Sequence, residues 1–349
     1  MNKNATQSWF YNAWFDLGFI LSPPFVVVFV VALYPTFFQQ TNMSDVFWLI
    51  VVVFVDVAHV YSTLFKTYFN TTKFEHNRTL YVIVPVFCFV LGVLVHSQGS
   101  HLYWRLLAYL AVFHFIRQQY GIFRLYSRTE TQAKWEYYLD NASIYIATLY
   151  PVIYWHTHPE TPFNWFVEHD FIVFSSTLVS AISWWIYVIV LFIYVSKELY
   201  LLIFKKLYNI PKNLTLIGTA LSWYMSIIYF KSDIAFTTIN VVAHGIPYIG
   251  LIFADGKLEK SSNAFMKIVF QNAIGLILFI GVLLVFSYLE EGFWNSIVWN
   301  EHNVLFPLFH AFLPVVNDKN LLTFIVPLLS LPQTTHYVLD GFIWKKEAS

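Results

Sequence analysis

Four histidines lie deep inside apolar stretches of this sequence, where a polar side chain is costly and by default indicates function. They are His59, His114, His244 and His336. Neutral imidazole is a ligand that suits iron, copper and zinc. A single buried histidine can equally serve as a hydrogen-bonding group between two helices. Four of them together predict a metal centre with nitrogen ligands.

Six other polar residues share helical faces with these histidines, as Gln333 and Asp340 do with His336. The full set is Asp56, Arg117, Gln118, Asn240, Gln333 and Asp340. A metal-binding imidazole generally donates its second N–H to a carboxylate, amide or carbonyl, which fixes its orientation. We therefore expect these residues to hold the imidazoles or to contact the substrate, and either aspartate is also a potential ligand. Arg117 has two interpretations, an ion pair with Asp340 or contact with a polar group of the substrate.

The composition places these residues in a membrane protein. The chain has 349 residues, of which 58% are hydrophobic, 21% aromatic and 11% charged, whereas soluble domains carry about 25% charged residues. The formal net charge is zero, and no basic patch suggests nucleic acid as a partner. Cys88 is the single cysteine, which excludes an internal disulfide and a metal site built from cysteines. The sequence thus predicts an all-α polytopic integral membrane protein.

About ten segments are apolar enough for a transmembrane helix of about 20 residues, joined by short interfacial connections. They are 15–38, 46–65, 80–97, 101–123, 137–155, 175–203, 213–230, 233–253, 264–288 and 320–343. Pro23-Pro24 should break or kink the first segment, and only Lys231 and Ser232 separate the seventh from the eighth. The connections 156–174 and 289–319 are expected to form caps on the outer side. Because no repeat or soluble region divides the chain, we expect residues 1–349 to form a single multi-span domain.

Charged residues predict the orientation of these segments. Connections after even-numbered segments contain most of the basic residues, including Lys73, Lys134 and the terminal Lys345 and Lys346, whereas the opposite connections are acidic, including Glu160. Because Lys and Arg are enriched in cytoplasmic loops, both termini are predicted to be cytoplasmic, in the inner (cytoplasmic) membrane of a bacterium. The four histidines all lie in even-numbered segments, roughly 17–24 Å from the outer end at 1.5 Å per residue. That common depth predicts that they bind the same ion.

Nitrogen ligands close to carboxylates favour iron, with copper or zinc as alternatives. We therefore predict a non-haem iron oxygenase or desaturase that acts on a membrane lipid or isoprenoid and uses a redox partner. Two other functions stay open, a haem-binding redox protein with two axial histidines and a proton- or ion-coupled transporter that uses the buried His, Asp and Arg. His156 and His158 are candidates for a second metal site near the outer surface.

The motif His114-Phe115-x-x-Gln118, the four intramembrane histidines and the chain length resemble the Brp/Blh family of membrane-embedded β-carotene dioxygenases. The resemblance covers a short motif and an architecture. It implies a single non-haem iron held by four histidines from different helices, and oxidative cleavage of a carotenoid.

Overall fold

The computed structural model describes residues 7–40, 43–159, 164–259 and 263–344. Within these ranges the chain is helical and contains no strand, so the predicted all-α class is confirmed. The predictions made from Glu160, Lys345 and Lys346 fall outside the described residues.

Helices of very different lengths follow one another along the chain. In chain order they are α1 (Ala13–Leu21), α2 (Pro23–Leu33), α3 (Pro35–Phe38), α4 (Asp45–Lys66), α5 (Thr71–His76), α6 (Arg78–Gln98), α7 (Ser100–Ser127), α8 (Lys134–Thr157), α9 (Thr177–Lys205), α10 (Ile210–Tyr224, continued by a π-helical stretch Met225–Phe230), α11 (Asp233–Leu258), α12 (Ala264–Gln271), α13 (Gly275–Trp299), α14 (Pro307–Phe312), α15 (Lys319–Leu329) and α16 (Leu331–Ile343).

Five of the described helices are long and apolar enough to cross a membrane, namely α4, α6, α9, α11 and α13. The pair α1–α2 would add a sixth, and its two helices meet at a bend of 46°. The bend lies at the predicted Pro23-Pro24 position, because proline lacks the N–H that a continuous helix needs there. The predicted separation of α10 from α11 is also present, at Lys231, which adopts a left-handed φ of 52°.

Two predicted segments are interrupted in the structure. The segment 264–288 consists of α12 and the start of α13, and a Cβ at Gly275 would collide with the carbonyl oxygen of Val269. The segment 320–343 is divided at Ser330, and Pro332 in the first turn of α16 has no N–H to continue α15. Because α13 extends to Trp299, the first part of the predicted cap 289–319 is helix.

The described chain forms two compact units. The first unit comprises Met1–Asn42 and Val112–Pro247, and the second comprises Met43–Ala111 and Tyr248–Ser349. Two of the three boundaries, after Ala111 and after Pro247, fall inside helices α7 and α11. The single domain expected from the sequence remains a prediction.

In the first unit, α8 packs against both α9 and α10. The core residues at this packing are Phe123, Ile144, Ala147, Tyr194 and Leu216. The polar end of the same helices holds a buried ion-pair network, in which Asp140 contacts Lys197 and Lys212. Apolar contacts along the helices and charge pairs at their ends thus hold the first unit together.

In the second unit, α13 packs against α4, and both α15 and α16 pack against α6. The buried core residues are Ala58, Phe65, Tyr248, Ile252, Met266, Val269, Phe270, Phe279 and Leu283. Two of the candidate metal ligands, His59 on α4 and His336 on α16, are therefore carried by helices that pack within this unit.

Candidate metal centre

The first unit brings together two of the four predicted ligands, His114 on α7 and His244 on α11. Both imidazoles are buried, and their ring centroids are 5.0 Å apart with an angle of 81° between the planes. Two imidazoles that bind one ion at about 2.1 Å place their ring centroids roughly 5 Å apart when the angle at the metal is near tetrahedral. The spacing of this pair fits a shared ion.

Two neighbours on α7 hold His244 in place. The ring of Phe115 is stacked on the imidazole, with 3.6 Å between centroids and 6° between planes. Gln118 Nε2 donates a hydrogen bond to the carbonyl oxygen of His244 at 2.8 Å. Gln118 Oε1 is buried and accepts no hydrogen bond from the described part of the chain. An orphaned acceptor beside a histidine pair is suited to a water molecule or a polar substrate group.

An aromatic cluster that the sequence pattern did not reveal adjoins this pair. Trp165 packs its edge against Phe115 at 5.1 Å, and Phe236 lies 5.5 Å from Trp165. The loop that carries Trp165 is fixed by Asp170, whose carboxylate accepts hydrogen bonds from the amides of Trp165 and Phe166 at 3.0 and 2.7 Å. Part of the predicted cap 156–174 therefore packs onto the side chain that orients His244.

The second unit brings together the other two predicted ligands, His59 and His336. Both are buried, and their ring centroids are 5.1 Å apart with an angle of 77°. The Asp56 carboxylate lies 3.6 Å from Nδ1 of His59, one helical turn earlier on α4. The second pair thus has the same spacing as the first and a carboxylate beside it.

His336 is also hydrogen-bonded, through a set of contacts within the second unit. Its Nδ1 lies 2.7 Å from Oγ1 of Thr63, and the Thr63 hydroxyl lies 3.1 Å from the hydroxyl of Tyr248. Tyr248 donates to Oδ1 of Asp340 at 2.8 Å, and Trp344 Nε1 donates to the same oxygen at 2.8 Å. Asp340 was predicted from its helical spacing, whereas the contacts that link His336 to Thr63 and Tyr248 were not.

Two further carboxylates lie on α13, Glu290 and Glu291, and Glu291 is close enough to both Asp56 and Glu290 for their charges to interact. The hydroxyl of Tyr61 donates to Glu290, and Asn295 donates to Glu291 at 3.1 Å. The sequence placed both glutamates in an exposed cap, but the extension of α13 places them inside the unit. The carboxylate that lies next to the pair of His59 and His336, Asp56, would stabilise a bound cation electrostatically.

The remaining predicted residues have the following surroundings within their own units. Arg117 is exposed, donates to the hydroxyl of Tyr145 and lies over the ring of Tyr120. Asn240 Nδ2 donates to Ser226 Oγ at 2.7 Å, which ties α11 to the π-helical stretch after α10. Gln333 is partly buried on α16. Their proposed roles at the metal stay predictions.

Three histidines predicted to lie near the outer surface, His156, His158 and His302, have hydrogen-bonding partners. Nδ1 of His156 and Nδ1 of His158 each lie within hydrogen-bonding distance of the carbonyl oxygen four residues earlier on α8, at 2.7 and 2.8 Å. His302 contacts Asp45 at 2.8 Å and stacks on Trp48 at 4.0 Å. These contacts indicate that the three imidazoles have a structural role as hydrogen-bonding groups.

Comparisons with known proteins do not extend the resemblance described above, since no family model, curated protein or solved structure matches this chain. The interpretation of its function therefore depends on the geometry of the histidine pairs and on the composition of the helices that carry them.

Proposed function

We propose that this protein is an integral membrane protein with about ten transmembrane segments that binds iron through its buried histidine pairs and oxidises a lipid or isoprenoid. The observation that carries the proposal is the spacing within each pair, 5.0 Å for His114 and His244 and 5.1 Å for His59 and His336. Such spacing suits a common ion for each pair.

The apolar surfaces of the long helices support the membrane location. On α9, Phe192 and Phe204 are each 70% exposed, and Ile277 on α13 is 74% exposed. Apolar patches of this kind are avoided on the surface of soluble monomers and suit contact with lipid tails. The ten segments, the cytoplasmic termini and the bacterial inner membrane are proposals from the charge pattern.

The donor set supports iron, copper or zinc as the bound ion. Imidazole nitrogens supported by carboxylates suit these metals, whereas magnesium and calcium prefer oxygen ligands. Bound iron would supply the redox chemistry that the protein itself lacks, since its side chains offer acid, base and hydrogen-bonding groups. The resemblance to the Brp/Blh family favours iron among the three.

The surroundings of the first pair support an apolar substrate. Phe115, Trp165 and Phe236 form a continuous aromatic contact next to His244. Aromatic side chains offer large apolar surfaces to a lipid or isoprenoid chain. The residues of the chain would thus orient the imidazoles, bind the substrate and exclude water.

Metal analysis of the purified protein tests this proposal. Protein expressed with iron and purified in detergent should contain stoichiometric iron and show no Soret absorption. Replacing His59, His114, His244 or His336 by Ala should each abolish metal binding. The matched controls are His156→Ala, His158→Ala and His302→Ala, which should keep the metal because these imidazoles have local partners.

The same measurement separates the alternatives. One ion per chain agrees with the predicted common site, and two ions would mean that each pair binds its own. A Soret band would replace the proposal with a haem protein, and a protein free of metal would favour transport. Retention of the full wild-type iron content in any two of the four core variants would refute the assignment of the ligands. Lipid and isoprenoid profiles of cells that express the wild type or His244→Ala would then identify the substrate.

A further inference from the structure

The hydrogen bonds that begin at His336 run in one direction. They link Nδ1 of His336 to Thr63, Thr63 to Tyr248, and Tyr248 to Asp340 at 2.7, 3.1 and 2.8 Å. His336, Thr63 and Tyr248 are buried, so bulk water does not compete for these hydrogen bonds. Asp340 is partly exposed at the far end.

Asp340 determines which group donates and which group accepts in each of these hydrogen bonds. The indole N–H of Trp344, which is purely a donor, points to Oδ1 of Asp340, so this oxygen acts as an acceptor, and the hydroxyl of Tyr248 contacts the same oxygen. Tyr248 must therefore donate its single hydroxyl proton to Asp340. Its oxygen is then left as the acceptor for the hydroxyl proton of Thr63.

Assigning one proton to each hydroxyl in this way also determines which nitrogen of the His336 imidazole is protonated. A hydroxyl group carries one proton, and that of Thr63 is committed to Tyr248. Thr63 Oγ1 can then only accept from Nδ1 of His336, so this nitrogen must carry the ring proton. In a neutral imidazole the other nitrogen, Nε2, is then unprotonated, which a metal ligand requires.

We propose that Asp340, acting through Tyr248 and Thr63, holds His336 as the Nδ1–H tautomer and so presents Nε2 as the ligand atom. Thr63, Tyr248 and Asp340 are positioning residues for the metal site. The role at the metal depends on the proposed function, whereas the tautomer is a property of the metal-free protein.

Helix α4 contributes to both parts of this arrangement. Thr63 follows His59 by four residues and lies on the same face of the helix. A rotation or shift of α4 would therefore move the ligand His59 and the hydrogen-bond partner of His336 together. The position of one helix thus controls the orientation of both imidazoles in the second unit.

Nitrogen NMR of metal-free protein labelled with ¹⁵N-histidine tests the tautomer directly. The His336 signals, assigned by their loss in His336→Ala, should be those of an imidazole protonated at Nδ1. In Thr63→Val the fixed acceptor is lost, and the two tautomers should mix. Thr63→Ser retains the hydroxyl and should restore the Nδ1–H form. Thr334→Val is the control, because that hydroxyl donates to the carbonyl of Ser330.

Asp340→Leu provides a second test that acts at the partly exposed end. Leucine offers Tyr248 no acceptor, so the direction is no longer imposed and the tautomers should again mix. Titration with Co²⁺ should show a roughly 10–100-fold loss of affinity in Thr63→Val, the usual effect of removing a partner of a metal-binding imidazole. Smaller losses are expected for Tyr248→Phe and Asp340→Leu.

A wild-type signal from the Nε2–H tautomer would overturn the inference. So would unchanged tautomers in both Thr63→Val and Asp340→Leu. A wild-type protein that binds no metal but shows the predicted tautomer would instead refute the proposed function and leave this inference standing, so the two failures are distinguishable.

Discussion

The phenyl ring of Phe115 lies flat against the imidazole of His244, with 3.6 Å between the ring centroids. The two side chains come from different helices, α7 and α11. Stacking fixes the plane of the imidazole and therefore the direction of both ring nitrogens. Because a metal ligand must be held within about 10–20° of its productive orientation, Phe115 matters to the site although it has no ligand atom.

Phe115→Leu should weaken metal binding while leaving the fold intact. Leucine fills most of the volume but offers no flat surface, so the imidazole of His244 gains rotational freedom. We expect metal affinity to fall roughly 10-fold, at the lower end of the effects of residues that support metal ligands. A competition titration with a metal chelator measures the change. Phe113→Leu, at an apolar position of α7 that is 59% exposed, should bind as the wild type does, and equal affinities for the two variants would contradict the role of Phe115.

Pro247 removes a backbone hydrogen bond from α11 without breaking the helix. Because proline has no N–H, the carbonyl of Ala243 lacks its usual donor, and Gln119 Nε2 lies 3.5 Å from that oxygen. The Gln119 amide oxygen in turn accepts from the hydroxyl of Thr219 at 3.0 Å. We expect Gln119→Leu to lower the free energy of unfolding by about 1–3 kcal/mol, because it leaves buried polar groups unpaired.

A double-mutant cycle separates the Ala243 carbonyl from the other contacts of Gln119. In a Pro247→Ala background, residue 247 regains an N–H for that carbonyl, so Gln119→Leu should cost about 1 kcal/mol less than in the wild type. Denaturant unfolding of the four proteins in detergent measures the cycle. If the changes in the free energy of unfolding caused by Gln119→Leu and Pro247→Ala are strictly additive, Gln119 does not compensate for the N–H that Pro247 lacks.

Much of this architecture follows from periodicity and composition. The all-α class, the bend at Pro23-Pro24 and the break at Lys231 depend on local preferences of the chain, and the structure contains them. The pairing of His114 with His244 and of His59 with His336 joins histidines that the sequence had already singled out.

The partners of these histidines were harder to predict. Spacing along one helix places Asp340 on the face of His336, but it does not tell which residue of another helix will face them. Thr63 and Tyr248 are common residues in apolar helices, and their role depends on the rotation of α4 and α11 within the packed unit. The interruption of the last segment at Ser330 depends on Pro332, which a window of average hydropathy does not register.

Asp140→Asn should destabilise the first unit without affecting the metal site. Asp140 is fully buried and paired with Lys197 and Lys212. Removing one partner of a buried ion pair costs about 3–5 kcal/mol, and we expect about 3 because Glu130 and Glu198 still pair with the lysines. Thermal unfolding in detergent measures the loss, and metal analysis should give the wild-type content.

The matched control for Asp140 is Glu168→Gln, which neutralises an exposed carboxylate of the same unit. A surface carboxylate of this kind contributes little to stability, so this variant should unfold at the wild-type temperature. If Asp140→Asn unfolds at that temperature as well, the buried network makes no net contribution to the unit.

The proposed topology makes a prediction about α6 and α7. If both cross the membrane, Gln98 between them lies outside, whereas Glu75 before α6 and Thr131 after α7 lie in the cytoplasm. In a protein whose single cysteine is replaced by Cys88→Ser, an impermeant maleimide added to intact spheroplasts should label Gln98→Cys. It should label Glu75→Cys and Thr131→Cys only after the membrane is permeabilised.

Helix α7 is decisive because it carries His114 and is not among the five apolar helices. Labelling of Thr131→Cys in intact spheroplasts would mean that α7 does not cross, and His114 would then lose the membrane depth from which a common site was predicted.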